Sequence, residues 1–205
     1  MKRTGFYFVG ILIMTLGISL TIHSGLGTMP FDSLNVGLTN TFGLTPGTWE
    51  VINGGVLIVI NAMLLRHRPD LLALLTAFIT GVGIDFWLYL VLSSLPVHTF
   101  LSSFILLVTG IALVGAGVAT YVKARFAYNP VDGFMFAIKQ LTGFSLGASK
   151  AIVSLLLLVI AYFLNGPIGM GTVLAVILIG PIINYFQSVL DRTGGKMENS
   201  AKHGA

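Results

Sequence analysis

The sequence has no cysteine and little charge: 11 Lys and Arg and 7 Asp and Glu in 205 residues, or 9%. Without cysteine there can be no disulfide, no thiolate nucleophile and no cysteine-based metal site. Soluble domains carry about 25% charged residues, so this supply is too small for a water-exposed surface. That argues against a soluble enzyme, a nucleic-acid binder or a disordered chain. Catalytic signatures are missing as well. There is no H-E-x-x-H, G-x-S-x-G, P-loop or G-x-G-x-x-G pattern, and His23, His67, His98 and His203 stand in separate connections or ends. The expectation is therefore no enzyme, no cofactor, no catalytic residues and no bound metal.

What is abundant is apolar sequence, at 55% of residues. A membrane helix needs roughly 20 mostly apolar residues. Six stretches qualify, at about 5–22, 46–65, 71–92, 100–122, 146–164 and 168–190. Glu50 and Lys150 each fall in the first turn of a span, where a charge can reach the headgroups. The first span follows Lys2 and Arg3 as a signal peptide would, but it is too long for a signal core and lacks an A-x-A-like cleavage site. It reads as a retained helix.

Charge then orients the six spans. With the N-terminus inside, the connections at 1–4, 66–70, 123–145 and 191–205, together with Lys150 at the same face, contain all 11 basic residues. The opposite connections, at 23–45, 93–99 and 165–167, contain none. That asymmetry places both termini in the cytoplasm. It also explains the net charge of +4 without a nucleic acid. The polar segment 191–205 is expected to be a disordered cytoplasmic tail.

The chain also repeats itself at an offset of 100 residues. Gly10, Ile11 and Gly17 recur as Gly110, Ile111 and Gly117; Pro30 and Asp32 as Pro130 and Asp132; Gly43 and Gly47 as Gly143 and Gly147. After a one-residue deletion, Gly81 matches Gly180 and Asp85 matches Asn184. The expected domains are a first repeat at 1–98 and a second at 99–190. Three spans per repeat reverse the second copy, so the expected architecture is all-α, six transmembrane helices in two inverted three-helix repeats. Such inversion is common in secondary transporters; duplication can also simply make a stable bundle.

Between the first and second span of each half lies a short amphipathic segment, Pro30–Phe42 and Pro130–Thr142. Proline suits the first helical position, a carboxylate two residues later suits the dipole, and Asn129 is a good cap. Gly43 and Gly143 end these helices, and Thr45 and Ser145 can cap the next ones. On one reading Asp32 and Asp132 are helix-start residues. On the other, these are half-helices folded into the bundle, and the paired acids line a solute or ion pathway.

The run Gly25-Leu-Gly-Thr-Met-Pro-Phe-Asp32, followed by Gly43-Leu-Thr-Pro-Gly-Thr-Trp49, resembles the YczE/YyaS/YitT family of bacterial integral membrane proteins, its YczE branch in particular. The resemblance covers nearly all of 5–190. It implies a multi-pass protein of the bacterial plasma (inner) membrane and brings no established substrate or reaction.

Asp85 is the sharpest single candidate for chemistry. It falls about 15 residues into the third span, hence ~20 Å into the bilayer, where an acid is costly and must face protein, a cavity or a partner. The pathway candidates are Asp32, Asp132, Asp85, Asn184, Glu50 and Asn53. Asn53 and Asn61 can also serve as helix–helix hydrogen-bond donors. His23, Asp32, Glu50 and Asp85 sum to −3, and their repeat mates Lys123, Asp132, Lys150 and Asn184 to +1. An acidic outer vestibule favours cations, protons or amines, although positive-inside topology produces the same contrast.

Two functions remain: a small-solute or ion transporter, and a membrane-embedded regulator or assembly partner whose basic face docks a cytoplasmic protein. The expected partners are the lipid bilayer with either a small-molecule or ion substrate or a cytoplasmic protein. Topology is directly testable. Single cysteines at Ser94 and Gly166 should react with an impermeant maleimide added outside cells, and one at Gly194 should not. The reverse labelling would refute the orientation.

Overall fold

A computed structural model describes residues 2–124, 126 and 129–203, with side chains over 4–124, 126 and 129–192. The side chains of Lys2, Arg3, Arg125, Lys196 and Lys202, all counted above for orientation, lie outside the described residues. The described chain is all-helical. Its eight α-helices are α1 (Lys2–His23), α2 (Pro30–Phe42), α3 (Pro46–Leu65), α4 (Leu71–Asp85), α5 (Phe100–Lys123), α6 (Pro130–Thr142), α7 (Leu146–Phe163) and α8 (Met170–His203).

Six helices are long and apolar enough to cross a membrane: Thr4–His23, Pro46–Leu65, Leu71–Ser94, Phe100–Lys123, Leu146–Phe163 and Met170–Arg192. They correspond to the six apolar runs. The last begins at Met170, and the chain around its start is tied to the α1–α2 connection. The Pro167 carbonyl accepts from Thr28 N–H at 3.3 Å, and Gly171 N–H donates to the Leu26 carbonyl at 2.8 Å. At its far end α8 continues to His203 through the segment expected to be a disordered tail.

The short helices α2 and α6 start and stop where local chemistry says they should. Each carries proline in its first turn and glycine just past its end, with Gly43 at φ 78° and Gly143 at φ 73°, a backbone region open to glycine. The Asn129 side chain accepts from Val131 N–H at 3.1 Å. Thr45 and Ser145 cap α3 and α7 in turn, accepting from Thr48 and Ala148. The third span shows what composition alone did not: α4 passes into a π-helical stretch, Phe86–Val91, immediately after Asp85.

The bundle is organised around α1 and α5, which cross in backbone contact. Four glycines make this approach possible. Gly10 meets Tyr121, Gly17 meets Val114, Gly110 meets Thr21 and Gly117 meets Met14. Lipid tails are as apolar as the side chains, so helix association depends on close packing and hydrogen bonds rather than on escape from water. Tyr7, Ile11, Met14, Ile18, Val114 and Tyr121 fill the seam, with Ile84 and Ile179 from α4 and α8 against it. Polar ties reinforce the packing: Tyr7 Oη and Thr76 Oγ1 lie 2.7 Å apart, and Ser19 Oγ donates to the Ile84 carbonyl at 3.2 Å.

Around this axis α4 packs on α1 and α8 on α5, while α2 packs on α3 and α7 and α6 on the same two helices. α3 also packs along α4, but α7 and α8 scarcely touch. A Cβ added at Gly17 would fall 2.6 Å from the Val114 nitrogen and 2.7 Å from the Gly110 oxygen. Gly17→Val should therefore destabilise the bundle by about 1–3 kcal/mol, lowering the unfolding temperature in detergent. Gly5→Ala, with nothing within 4 Å, should leave it unchanged.

Candidate functional site

α2 and α6 start at Pro30 and Pro130, and a cavity of about 140 Å³ lies between their first turns. Asp32 and Asp132 occupy equivalent first-turn positions and both line it. Glu50 from α3 and Lys150 from α7 line it too, each one turn into its helix. The sequence thus places an acid on each short helix, a third acid on α3 and a lysine on α7 beside them. The remaining wall is apolar, with Met14, Ile18, Val114, Val118, Ile179 and Ile183.

Glu50 is 1% exposed, so its carboxyl depends on protein partners. Its Oε2 accepts from Asn35 Nδ2 at 2.8 Å, and Asn35 Oδ1 accepts from Asn53 Nδ2 at 2.7 Å. Two amides therefore run from α3 through α2 back to α3 and end on the acid. On the other short helix, Tyr121 Oη donates to Asp132 Oδ2 at 3.2 Å. Asp32 and Asp132 belong to the short helices, outside the six spans. Burial pushes the Asp32 carboxyl up to about 7. Asp132 is only half-buried, and partial loss of water raises it as well, against the opposing effects of the Tyr121 hydrogen bond and the Lys150 charge.

Asp32, Asp132 and Glu50 thus meet at one cavity, and Asn53 joins them through Asn35. Asp85 and Asn184 do not line this cavity. Asp85 caps a neighbouring helix: its Oδ2 accepts from Thr45 Oγ1 at 2.5 Å and its Oδ1 from Gly47 N–H at 2.9 Å. The cause is the close crossing of α3 and α4 at Gly47 and Gly81. It brings the acid against free N–H groups at a helix start, where the dipole also favours it. Asn184 is exposed on α8. Asn61 donates to the Pro130 carbonyl at 3.4 Å, a helix–helix tie.

Three participants were not singled out for the site from sequence: Asn35, Tyr121 and Lys150. Asn35 carried a signal, lying one helical turn after Asp32 on the polar face of α2. Nothing in the sequence around Tyr121 marks it for the site. Chemically, three carboxyls, one ammonium and apolar walls suit a small solute with a cationic group and an apolar body. Among the described residues no group of three metal-ligating side chains is assembled.

A family model described as "Family of unknown function (DUF6198)" matches residues 1–188. Among curated proteins, the chain is 46% identical over 187 residues to "Uncharacterized protein YyaS" of Bacillus subtilis, covering 91% of this chain and 93% of that one. It is 36% identical over 184 residues to "Uncharacterized membrane protein YczE" of the same organism, covering 89% and 84%. An uncharacterized protein of Haemophilus influenzae is 25% identical over 193 residues, covering 93% and 86%. No solved structure matches the chain at a significant level. The six apolar helices and the membrane relative together make this a multi-pass membrane protein.

The amide chain predicts a measurable contrast. Asn35→Ala removes the donor to a buried carboxyl and should cost about 1–3 kcal/mol, seen as a lower unfolding temperature in detergent. Asn184→Ala, at an exposed position, should change stability by less than about 0.5 kcal/mol.

Proposed function

The chain belongs to the DUF6198 family, and from that premise we propose that it is a bacterial plasma-membrane transporter of a small cationic solute or ion. In this reading both termini are cytoplasmic, and the body is two inverted three-helix repeats. The observation that carries the reading is the central cavity, where the N-termini of α2 and α6 bring Asp32 and Asp132 beside Glu50 and Lys150. A carboxyl buried at membrane depth is expensive to keep unless it serves a function. Discontinuous helices whose ends meet near the bilayer midplane are a recurring way to build a solute site.

The packing pattern supports the inverted relation. The offset of 100 residues exchanges α1 with α5, α2 with α6, α3 with α7 and α4 with α8. Under that exchange the α2–α7 contact becomes α6–α3, and α1–α4 becomes α5–α8. The cavity then lies between the halves, with wall residues from both. Its excess of carboxyls over ammonium groups favours cations over anions.

Purified protein in liposomes, screened for uptake of small inorganic and organic cations under a proton or sodium gradient, tests the reading. Uptake above protein-free liposomes is expected for at least one solute. It should fall at least about tenfold in an Asp32→Asn, Glu50→Gln variant, since a ligand losing a charge-assisted contact in a dry site loses about 1.4 kcal/mol or more. No uptake across the panel, with a protein partner recovered by cross-linking in cells, would replace this reading with that of a regulator or assembly partner.

A further inference from the structure

Matched residue for residue under the proposed repeat, the two halves of the chain are in different states. In the first half, α3 and α4 are in backbone contact: a methyl group at Gly47 would strike the Gly81 carbonyl. Asp85 seals that junction through Thr45 and Gly47. The mates of these four residues are Gly147, Gly180, Asn184 and Ser145, and the corresponding contacts are not made. A Cβ at Gly180 meets nothing within 4 Å, and one at Gly147 meets only the Ser145 hydroxyl at 4.0 Å. Asn184 is exposed. Only 11% of the α8 span is buried, against 33% for the span containing α4.

The short helices show the same imbalance. Seven residues of α2 are buried but only Pro130 and Ala137 of α6. The Ser33 hydroxyl ties α2 to the α7–α8 connection, donating to the Pro167 carbonyl at 3.1 Å. Where the mirrored junction would lie, between α6 and the α3–α4 connection, there is a cavity of about 210 Å³. It is lined by Asn61, whose Oδ1 has no partner. In the proposed orientation the α3–α4 seal and the α2 anchor lie toward the outer end and their loose counterparts toward the inner end, while the inner ends of α5 and α8 stay joined by Lys123, which donates to the Leu190 carbonyl at 2.8 Å and pairs with Asp191 at 3.0 Å.

We propose that this is the inward-open member of a pair of states that exchange their junctions, an inference that rests on the transporter reading and supplies its access route. In the other state α8 packs along α7, with Gly180 against Gly147. Asn184 Oδ1 then accepts from the Ser145 hydroxyl or Gly147 N–H, while α4 leaves α3. The central cavity is closed from the inside and reached from the outside. The residue types fit this exchange. Glycine stands at both members of the unformed crossing, and an amide oxygen accepts the same bonds as a carboxylate, more weakly. That difference favours the outer seal at rest. Pro181 follows Gly180 in α8 and removes a helical hydrogen bond where the helix would have to bend.

The lack of cysteine allows a direct test. Spin labels on Leu146→Cys and Tyr185→Cys, exposed positions on α7 and α8, report their separation by pulsed electron–electron resonance in lipid nanodiscs. The otherwise unaltered protein should give mainly a long separation, since α7 and α8 scarcely touch. Asp85→Asn weakens the outer seal and Asn184→Asp strengthens the inner one, so each should raise the short-distance population, on the order of tenfold. Asn184→Asp alters an exposed side chain and keeps the test available if Asp85→Asn is unstable. A short-distance population growing in either variant supports the exchange; a single long distance in both overturns it. The readout is a distance rather than a flux, so failure of the transport screen and failure of this exchange are separately visible.

Discussion

The direct backbone crossing of α1 and α5 is the constraint on which the other helices depend. In a bilayer there is no general hydrophobic pull between helices, so a bundle needs places where atoms of two helices fit more closely than lipid can. Gly10, Gly17, Gly110 and Gly117 supply such places along one seam. With α1 and α5 locked together, α4 and α8 have fixed surfaces to lie on, through Ile84 and Ile179. The short helices then have a floor beneath them: Met14, Ile18, Val114 and Val118 are at once the seam and the wall of the central cavity. The helix crossing and the site are therefore two sides of one layer of side chains.

The acids divide by the partners that each one finds. Asp85 takes an N–H and a hydroxyl at a helix start. Asp132 takes a tyrosine hydroxyl, with Lys150 lining the same cavity. Glu50 takes an amide. Asp32 and Glu50 line one cavity without a lysine or arginine from the first half of the chain. Depth in the membrane alone would have ranked Asp85 first among them. Its nearest groups are Thr45 and Gly47 at the start of α3, and the less conspicuous Glu50, near a helix end in sequence, lines the central cavity.

Features encoded by neighbours in sequence were legible before the fold was known. The six spans follow from apolar length, and the limits of α2 and α6 follow from Pro30 and Pro130 at one end and Gly43 and Gly143 at the other. Features that need two distant segments to meet were not. Nothing near Asp85 in sequence says that α4 will cross α3 at Gly81. The π-turn after Asp85 likewise has no signature in the residues that form it. Asn35 looked like one polar residue of an amphipathic helix until α3 brought both Glu50 and Asn53 against it.

The amide pair carries one more implication. Asn53 gives its hydrogen to Asn35, and Asn35 gives one to Glu50, so the chain is polarised in one direction and ends on the acid. Carboxamides do not ionise under ordinary conditions, so they can hold a carboxyl in place without relaying a proton. On the α2–α3 side Glu50 is therefore wired but insulated. Its open side is the central cavity, so the amide wall behind it holds the carboxyl in place without offering a second proton route.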